Sequence, residues 1–281
     1  MKVRIITALL GSAFIIALLI FANTWSYALD IAFSLVIAMC IGEALNAGGM
    51  LKKYALSIPC ILYGAALPFT LTAEYIMPII FPITVIFFLL SFTVMVFKSK
   101  DISFKDLAFS LTSTFVISAG LTSVVMLYVP NRVHAVFYTV IALCMPWFAD
   151  SGAYFAGVAC GKHKLCPTIS PKKTIEGAIG GIITAPLAML LVGAIFQFLI
   201  IPNSSWDVDG VYFLNLAIYG FVGSFVSIIG DLSFSLLKRS CGIKDFGSLL
   251  PGHGGMLDRV DSVIFTAPLL LIMNAYLPML Y

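Results

Sequence analysis

Two clusters of acidic, hydroxyl and basic side chains stand out in an otherwise apolar chain of 281 residues. In the first cluster Asp231, Ser235 and Lys238 are spaced i, i+4 and i+7, so all three share one face of a helix. In the second cluster Asp258 and Asp261 are spaced i and i+3. Carboxylate oxygens are the ligands that Mg²⁺ and Mn²⁺ prefer, and phosphates often complete the coordination shell. The clusters therefore predict a divalent-metal site with Asp231 and Asp258 as ligands.

A glycine-rich loop, residues 251–255, lies between the two clusters. Glycine lets the backbone approach a ligand closely and adopt positive φ values, and the amides at a helix N-terminus bind anions. The basic residues around the loop are Lys238, Arg239, Lys244 and Arg259. Together these features indicate a metal-assisted site for polyphosphate. The first two could instead anchor their helix at the membrane surface, and the aspartates could form structural salt bridges with the other two.

A further acid, Asp150, lies within a predicted membrane helix. An ionised side chain at that depth costs about 2.5 to 3.5 kcal/mol, so it commonly pairs or binds a ligand. Asp150 could line the site, or it could form a structural hydrogen bond to Ser151 or Tyr154. Glu43 is the corresponding acid in the first part of the chain, and we expect it to be a hydrogen-bonded structural residue.

Two lysines, Lys172 and Lys173, follow Ser170 and Pro171. We expect the serine to be the N-cap of a helix and the proline its first residue, because these residue types favour those positions. The lysines could contact phosphate, or they could simply mark a cytoplasmic loop.

The elements that must position these residues are membrane helices. The chain is 61% hydrophobic and 10% charged, whereas average soluble chains carry about 25% charged residues. A helix that crosses the hydrocarbon core needs roughly 20 mostly apolar residues. Such stretches cover residues 4–24, 28–47, 55–73, 76–97, 106–129, 134–159, 177–201, 211–237 and 260–280. The predicted fold is an all-α polytopic bundle of about nine spans.

Charge placement supports this count, because Lys and Arg accumulate in cytoplasmic loops. Of the 16 Lys and Arg residues, all but Arg132 fall on the cytoplasmic side when nine spans follow a cytoplasmic N-terminus. One missed span would invert every later loop. The net charge of +3 therefore reflects topology, and it gives no indication of a nucleic-acid partner. We expect a multi-pass protein of the cell inner membrane, with its site on the cytoplasmic side.

The chain divides into two regions. Residues 1–130 are apolar helices in which no chemistry is indicated, and residues 131–281 form a catalytic membrane region with cytoplasmic loops at 160–176 and 238–259. The six cysteines show neither a C-x-x-C pair nor metal-ligand spacing. Most lie inside predicted spans, where cysteine behaves as a small hydrophobic residue.

The segment from Ser235 to Asp261 resembles the signature of the phosphatidate cytidylyltransferase (CDP-diacylglycerol synthase) family. The matching positions are Ser235, Leu237, Lys238, Arg239, Lys244, Asp245, Gly247, Leu250, Pro251, His253, Gly254, Gly255, Met256, Asp258, Arg259, Val260 and Asp261. Residues 150–157, 161–162 and 169–177 also look like the family, although Ile175 replaces an aromatic residue. The resemblance is strong over about residues 140–265.

This resemblance implies transfer of CMP from CTP to phosphatidic acid, giving CDP-diacylglycerol and pyrophosphate for phospholipid synthesis. It implies Mg²⁺ as cofactor, which Mn²⁺ can replace, with room for a second cation. It also suggests a homodimer in contact with membrane lipid. The catalytic residues would be Asp231, Asp258, Asp261, Lys238 and Arg239. The substrate- and phosphate-binding residues would be Ser235, Lys244, His253, Gly254, Gly255, Arg259, Lys172, Lys173 and Asp150, of which Asp150 could bind the cytidine ribose.

Two alternatives stay open on the residues alone. A related prenol- or archaeol-type cytidylyl or phosphoryl transferase would share the metal and CTP sites. An ion-coupled transporter could use Asp150, Asp231 and Asp258 along an ion path, but it would distribute acids across the membrane depth. The predicted gathering of Asp231, Asp258 and Asp261 at one membrane face favours the enzyme.

Overall fold

The computed structural model of the protein describes residues 15, 17–19, 21–22, 25, 27–72, 77–128, 134–204, 208–249 and 254–281. These residues are mostly helical. The long helices are α1 (Ala28–Ala47), α2 (Tyr54–Thr72), α3 (Met77–Phe97), α4 (Phe104–Tyr128), α5 (Ala135–Cys160), α6 (Ile175–Ile195), α7 (Phe213–Ser240) and α8 (Leu257–Tyr276). A π-helical turn, Phe196–Ile200, and a 3₁₀ turn, Ile201–Asn203, prolong α6.

The helices follow the predicted apolar stretches within a few residues. Among the residues described, six helices are long and apolar enough to cross a membrane: Ala28–Ala47, Ile80–Phe97, Phe104–Leu127, Val136–Cys160, Ile175–Asn203 and Phe213–Ser240. The predicted span 4–24 lies largely outside the described residues. A mostly helical membrane architecture is therefore confirmed, while nine spans and a cytoplasmic N-terminus stay predictions.

Helix α8 lies at the centre of the bundle and packs against α1, α4, α5 and α7. Its residues Val263, Ile264, Ala267 and Leu270 are almost fully buried. A Cβ atom on Gly120 of α4 would lie 2.4 Å from the carbonyl oxygen of Ile264, so only glycine permits this approach of α4 to α8. The central position of α8 allows residues at its N-terminus to meet side chains from several other helices.

Small residues also bring α5, α6 and α7 together. A Cβ atom on Gly180 of α6 would lie 2.2 Å from the Cβ of Ala156, and one on Gly220 of α7 would lie 2.5 Å from the Cα of Pro186. Small side chains at helix interfaces permit close backbone approach, which is a common way of packing helices in membranes. This packing fixes the spacing between Asp150 on α5 and the polar face of α7.

A short antiparallel hairpin lies within the predicted loop 160–176. Strands β1 (Lys164–Cys166) and β2 (Ser170–Thr174) pair with Lys164 opposite Thr174. His163 is exposed, and its Nδ1 atom lies 2.6 Å from Oε1 of Glu176 at the start of α6. The hairpin therefore holds β2 in a defined position at the end of the bundle.

The predicted cap of α6 was wrong. Ser170 and Pro171 lie in β2, and the N-cap is Thr174, whose hydroxyl accepts the backbone N–H of Gly177 at 3.1 Å. Strand pairing keeps the chain extended for four residues beyond the predicted start. Lys172 and Lys173 are consequently strand residues whose side chains alternate.

Candidate active site

The two predicted clusters meet where the end of α7 reaches the start of α8. Lys238, which is 9% exposed, donates from Nζ to Oδ1 of Asp258 at 2.8 Å. The same Nζ lies 4.0 Å from Oδ2 of Asp261. The i and i+3 spacing of the two aspartates places both carboxylates beside one lysine. The structure thus brings three of the predicted catalytic residues together.

Asp258 also organises the loop that precedes α8. Its Oδ2 atom accepts the backbone N–H groups of Phe246 at 2.9 Å and Gly255 at 3.0 Å. Gly254 adopts φ +86°, and a Cβ there would lie 3.1 Å from the same oxygen. The ring of Phe246 lies beneath the ammonium group of Lys238, at 5.4 Å from Nζ to the ring centroid. Asp258 therefore positions both the loop and the lysine.

Glu43, from the region in which no chemistry was predicted, closes this loop from the side of α1. Its carboxylate accepts the backbone N–H of Met256 at 3.0 Å and that of Leu257 at 2.8 Å. Cβ atoms on Gly247 or Gly255 would each lie 2.5 Å from a Glu43 oxygen. Glu43 is the structural acid expected from the sequence, and it satisfies N–H groups at the start of α8 that have no partner within the helix.

Asp231 lies one helical turn before Ser235 on α7. Its Oδ2 atom forms an ion pair with Nζ of Lys173 on β2, and its Oδ1 atom accepts the Ser235 hydroxyl at 3.3 Å. Both members of the ion pair are partly buried, with side-chain exposures of 28% for Lys173 and 22% for Asp231. The hairpin therefore places Lys173 beside the acidic face of α7.

Asp150 reaches the same region from α5. The hydroxyl of Ser262 on α8 donates to its Oδ2 at 3.4 Å, while the backbone N–H of Ser262 donates to Oδ1 of Asp261 at 2.8 Å. Asp150 also lies within electrostatic range of Asp231, Lys173 and Asp261. Its partner is thus on another helix, and not the neighbouring Ser151 or Tyr154. Ser262 was missed by the sequence analysis, because a hydroxyl next to an acid has no distinctive spacing.

A cavity of about 390 Å³ opens beside these groups, between α5, α6, α7 and the hairpin. Its polar wall consists of Asp150, Asp231, Lys172, Lys173 and Thr174. Its apolar wall includes Tyr154, Val158, Leu165 and Ile228. A volume of a few hundred Å³ with a few convergent polar groups is typical of a small-molecule site.

The other predicted residues lie at the rim of the site. Lys244 and Arg259 are exposed near the loop, and Arg239 donates from Nη1 to the carbonyl oxygen of Ile243 at 3.2 Å. The indole N–H of Trp147 approaches the carbonyl oxygen of Arg259 at 3.4 Å. His253 lies outside the described residues.

A divalent cation would need oxygen ligands from the protein, from water or from bound phosphate. Among the described residues, no three or more His, Cys, Asp or Glu side chains form a group that could hold a metal ion by themselves. Mg²⁺ is usually held by one or two carboxylates, with water and substrate phosphates in the remaining positions. Asp231 and Asp258 fit that mode in number and type, although each is also paired with a lysine.

Comparison with known proteins gives a consistent result. Residues 2–277 match the model of the cytidylyltransferase family. The chain is 35% identical over 279 residues to the phosphatidate cytidylyltransferase of Staphylococcus haemolyticus, covering 97% of this chain and 98% of the relative. It is 37% identical over 280 residues to that of Staphylococcus epidermidis, with the same coverage. The match to the Staphylococcus aureus enzyme is 41% identical over 190 residues, which span 66% of this chain and 65% of that relative.

Proposed function

The chain belongs to the cytidylyltransferase family, and we propose that it transfers CMP from CTP to phosphatidic acid, giving CDP-diacylglycerol and pyrophosphate for phospholipid synthesis. It is accordingly a membrane nucleotidyltransferase. The observation that carries the proposal is one continuous polar region at the ends of apolar helices. There Ser262 links the cluster of Lys238, Asp258 and Asp261 to the cavity, because it hydrogen-bonds both Asp261 and the cavity-lining Asp150.

The reaction is an in-line displacement at phosphorus. An oxygen of the phosphate monoester of phosphatidic acid attacks the α-phosphorus of CTP, and the bond between the α-phosphorus and the bridging oxygen breaks as pyrophosphate leaves. A phosphate monoester carries about −1.5 to −2 charges at pH 7, so the nucleophile needs no general base. The protein must therefore position the two phosphates and neutralise their charges.

The cavity between α5, α6, α7 and the hairpin is the proposed CTP site. Lys172 and Lys173 on its wall supply ammonium groups for the triphosphate, because charge-assisted hydrogen bonds to phosphate are strong. Asp150 lines the same cavity, where its carboxylate can accept a ribose hydroxyl. Ser235, whose hydroxyl donates to Asp231, adds a hydroxyl group on the same face of α7 as that cavity-lining acid.

The proposed lipid-phosphate and pyrophosphate contacts lie at the loop before α8. Lys238 is held by Asp258 and supported by the ring of Phe246, so its ammonium group has a fixed position. Lys244, Arg259 and Arg239 add exposed positive charges at the rim, and His253, Gly254 and Gly255 belong to the same proposed phosphate-binding loop. Fixed donors are effective because they need no reorganisation as charge develops in the transition state.

A divalent cation completes the proposed site. Asp231 and Asp258 would hold Mg²⁺, or Mn²⁺ in its place, and a second cation could be accommodated near Asp261. The ion would neutralise phosphate oxygens and polarise the α-phosphorus of CTP. The protein's own contribution is to hold Asp231 beside Lys173 and Asp258 beside Lys238.

The proposed setting is the cell inner (plasma) membrane, with nine spans, a cytoplasmic N-terminus and the site on the cytoplasmic side. The uneven distribution of Lys and Arg along the sequence supports that orientation. A homodimer is proposed from the family resemblance alone.

In the direct test, purified protein is incubated with labelled CTP and phosphatidic acid, and the lipid fraction is then separated by chromatography. The expected product is a lipid that carries CMP, formed together with one pyrophosphate. A parallel reaction contains a polyprenyl phosphate instead of phosphatidic acid. Labelling of only the prenyl lipid would favour the prenol-type transferase, and absence of any labelled lipid would contradict a cytidylyltransferase.

A further inference from the structure

A second cavity, lined mostly by apolar side chains together with the hydroxyl residues Thr112, Ser113 and Ser233, lies on the other side of α7. It occupies about 400 Å³ between α4 and α7, both of which pack on α8. Its lining includes Phe109 and Val116 on α4, Phe234 and Leu237 on α7, and Phe265 on α8. We call it the apolar groove. No acidic or basic side chain lines it, so a charged ligand has no partner there.

The apolar groove and the polar cavity lie on different faces of α7, as the helical spacing of its residues requires. Asp231 lines the polar cavity and Ser235 lies one turn later on the same face of α7, whereas Phe234 and Leu237 line the groove. Lys238 is i+4 from Phe234 and i+3 from Ser235, so it lies at the boundary between these two faces. Lys238 lines neither cavity, but its position on α7 lies between the face that lines the proposed CTP cavity and the face that lines the groove.

Aromatic rings connect the apolar groove with the polar site. Phe234 makes edge contacts with Phe246 and Phe265, each at 6.0 Å between ring centroids. The ring of Phe246 makes a cation–π contact with the ammonium group of Lys238, and its backbone N–H donates to Asp258. Phe265 lies one turn after Asp261 on α8. A molecule that reaches from Lys238 into the groove thus passes directly from charged to apolar surroundings.

We infer that the apolar groove holds one acyl chain of the phosphatidic acid while its phosphate lies at Lys238. This inference rests on the proposed function and names where its lipid substrate binds. Phosphatidic acid has the required chemistry, a dianionic head attached to long hydrocarbon chains. Since the bilayer is as apolar as the groove, the chain gains little by transfer. The groove instead restricts the orientation of the lipid, so that its phosphate approaches CTP in line.

Photolabelling tests occupancy without relying on turnover. The probe is phosphatidic acid with a diazirine on one acyl chain, added to the protein in mixed micelles. We expect labelled peptides from α4 around Phe109 and from α7 around Phe234, and we expect unlabelled phosphatidic acid to compete better than phosphatidylcholine. Labels spread evenly over lipid-facing helices such as α3, or equal competition by both lipids, would contradict the assignment of the apolar groove as the acyl-chain site.

Variants with a filled groove test its role in the reaction. Ala108→Trp and Ser233→Trp place a large ring on either wall, and Leu187→Trp on the exposed face of α6 is the matched control. For a long-chain phosphatidic acid we expect kcat/KM to fall by about tenfold in the two groove variants but not in the control. For dihexanoyl phosphatidic acid, whose chains are short, all three should match the wild type within about twofold.

The outcomes separate this inference from the proposed function. Equal losses of kcat/KM with the long- and short-chain substrates, or no loss with either, would contradict acyl-chain binding in the apolar groove. The proposed enzyme activity would be unaffected by that result. Selective photolabelling of the groove in a wild-type protein that makes no CDP-diacylglycerol would overturn the proposed reaction and keep the lipid site. Thermal unfolding in detergent checks that each tryptophan variant is folded, and one folded groove variant is sufficient for the comparison.

Discussion

The carboxylate of Glu43 accepts the backbone N–H of Leu257 at 2.8 Å, although 214 positions separate the two residues. It also accepts the N–H of Met256 and packs against Gly247 and Gly255. Helix α1 thereby fixes the N-terminus of α8, on which Asp258 and Asp261 lie. The geometry of the site thus depends on a residue that carries no proposed chemistry.

Glu43→Ala should destabilise the protein and disturb the site. It leaves two partly buried N–H groups without an acceptor, at a cost of roughly 1 to 3 kcal/mol each. We expect a fall of several degrees in the unfolding temperature in detergent, together with reduced turnover. Glu43→Gln keeps one acceptor oxygen and should lie between Ala and wild type, while Asp101→Asn on the exposed α3–α4 turn serves as control. Wild-type melting of Glu43→Ala would contradict the capping role.

The local pattern of apolar and polar residues was sufficient to predict most helices, but it could not predict the contact between Glu43 and Leu257. The predicted span 28–47 has the same bounds as α1 because a continuous apolar run ends on both sides at polar or turn residues. The cap of α6 was misplaced, since Ser170 and Pro171 have the residue types of a helix start but pair in a strand. Periodicity reports which face a residue occupies, and it cannot report which distant segment meets that face.

Lys173→Met tests the proposed CTP cavity. If Lys173 binds the triphosphate, its loss removes a charge-assisted hydrogen bond of about 1.5 to 3 kcal/mol. We therefore expect the KM for CTP to rise by about tenfold or more, with little change in the KM for phosphatidic acid. Lys164→Met, an exposed lysine on the same hairpin, is the matched control. Equal changes in the two KM values would assign Lys173 only to the ion pair with Asp231.

Several site residues could be predicted from the sequence because they share helix faces at short spacing. Asp231 with Ser235, and Asp258 with Asp261, lie as the i+4 and i+3 rules require. The pairing of Lys173 with Asp231 was not predictable, because it depends on a hairpin that brings residues 58 positions apart together. The contact of Ser262 with Asp150 is likewise set by helix packing.

Orientation can be tested with single cysteines in a cysteine-free background. Ser248 and Asn203 are both exposed. Ser248 lies before the N-terminus of α8, whereas Asn203 lies after the C-terminus of α6. The predicted topology places Ser248→Cys in the cytosol and Asn203→Cys outside. A membrane-impermeant maleimide should label only Asn203→Cys in intact cells and both after lysis. Labelling of both variants in intact cells would contradict the predicted span count.

Lys244→Ala and Arg259→Ala test the rim charges. Each should lower kcat/KM by about tenfold to 100-fold if it contacts a phosphate, and neither should prevent membrane insertion. Lys105→Ala, an exposed lysine on α4, is the control for loss of a surface charge. Near-normal activity in both rim variants would show that these residues only anchor the loop at the membrane surface.

The last prediction is that Asp231 and Asp258 act as one unit by holding the same divalent cation. Either Asp→Asn change should then lower turnover by at least about 100-fold, because a lost ligand disturbs the ion more than a lost outer partner does. The double variant should lose little more, since residues that serve one function together are not additive. EDTA should abolish activity, and Mg²⁺ or Mn²⁺ should restore it.

The competing explanation assigns each aspartate to its own lysine, Asp231 to Lys173 and Asp258 to Lys238. Independent ion pairs predict additive losses in the double variant, together with lower unfolding temperatures for both single variants. Binding of Mn²⁺ followed by electron paramagnetic resonance separates the two models without using activity. A shared site requires that the wild type binds Mn²⁺ and that either single variant binds it much more weakly. Unchanged Mn²⁺ affinity in both single variants, or full activity in EDTA, would leave Asp231 and Asp258 as structural partners of the two lysines.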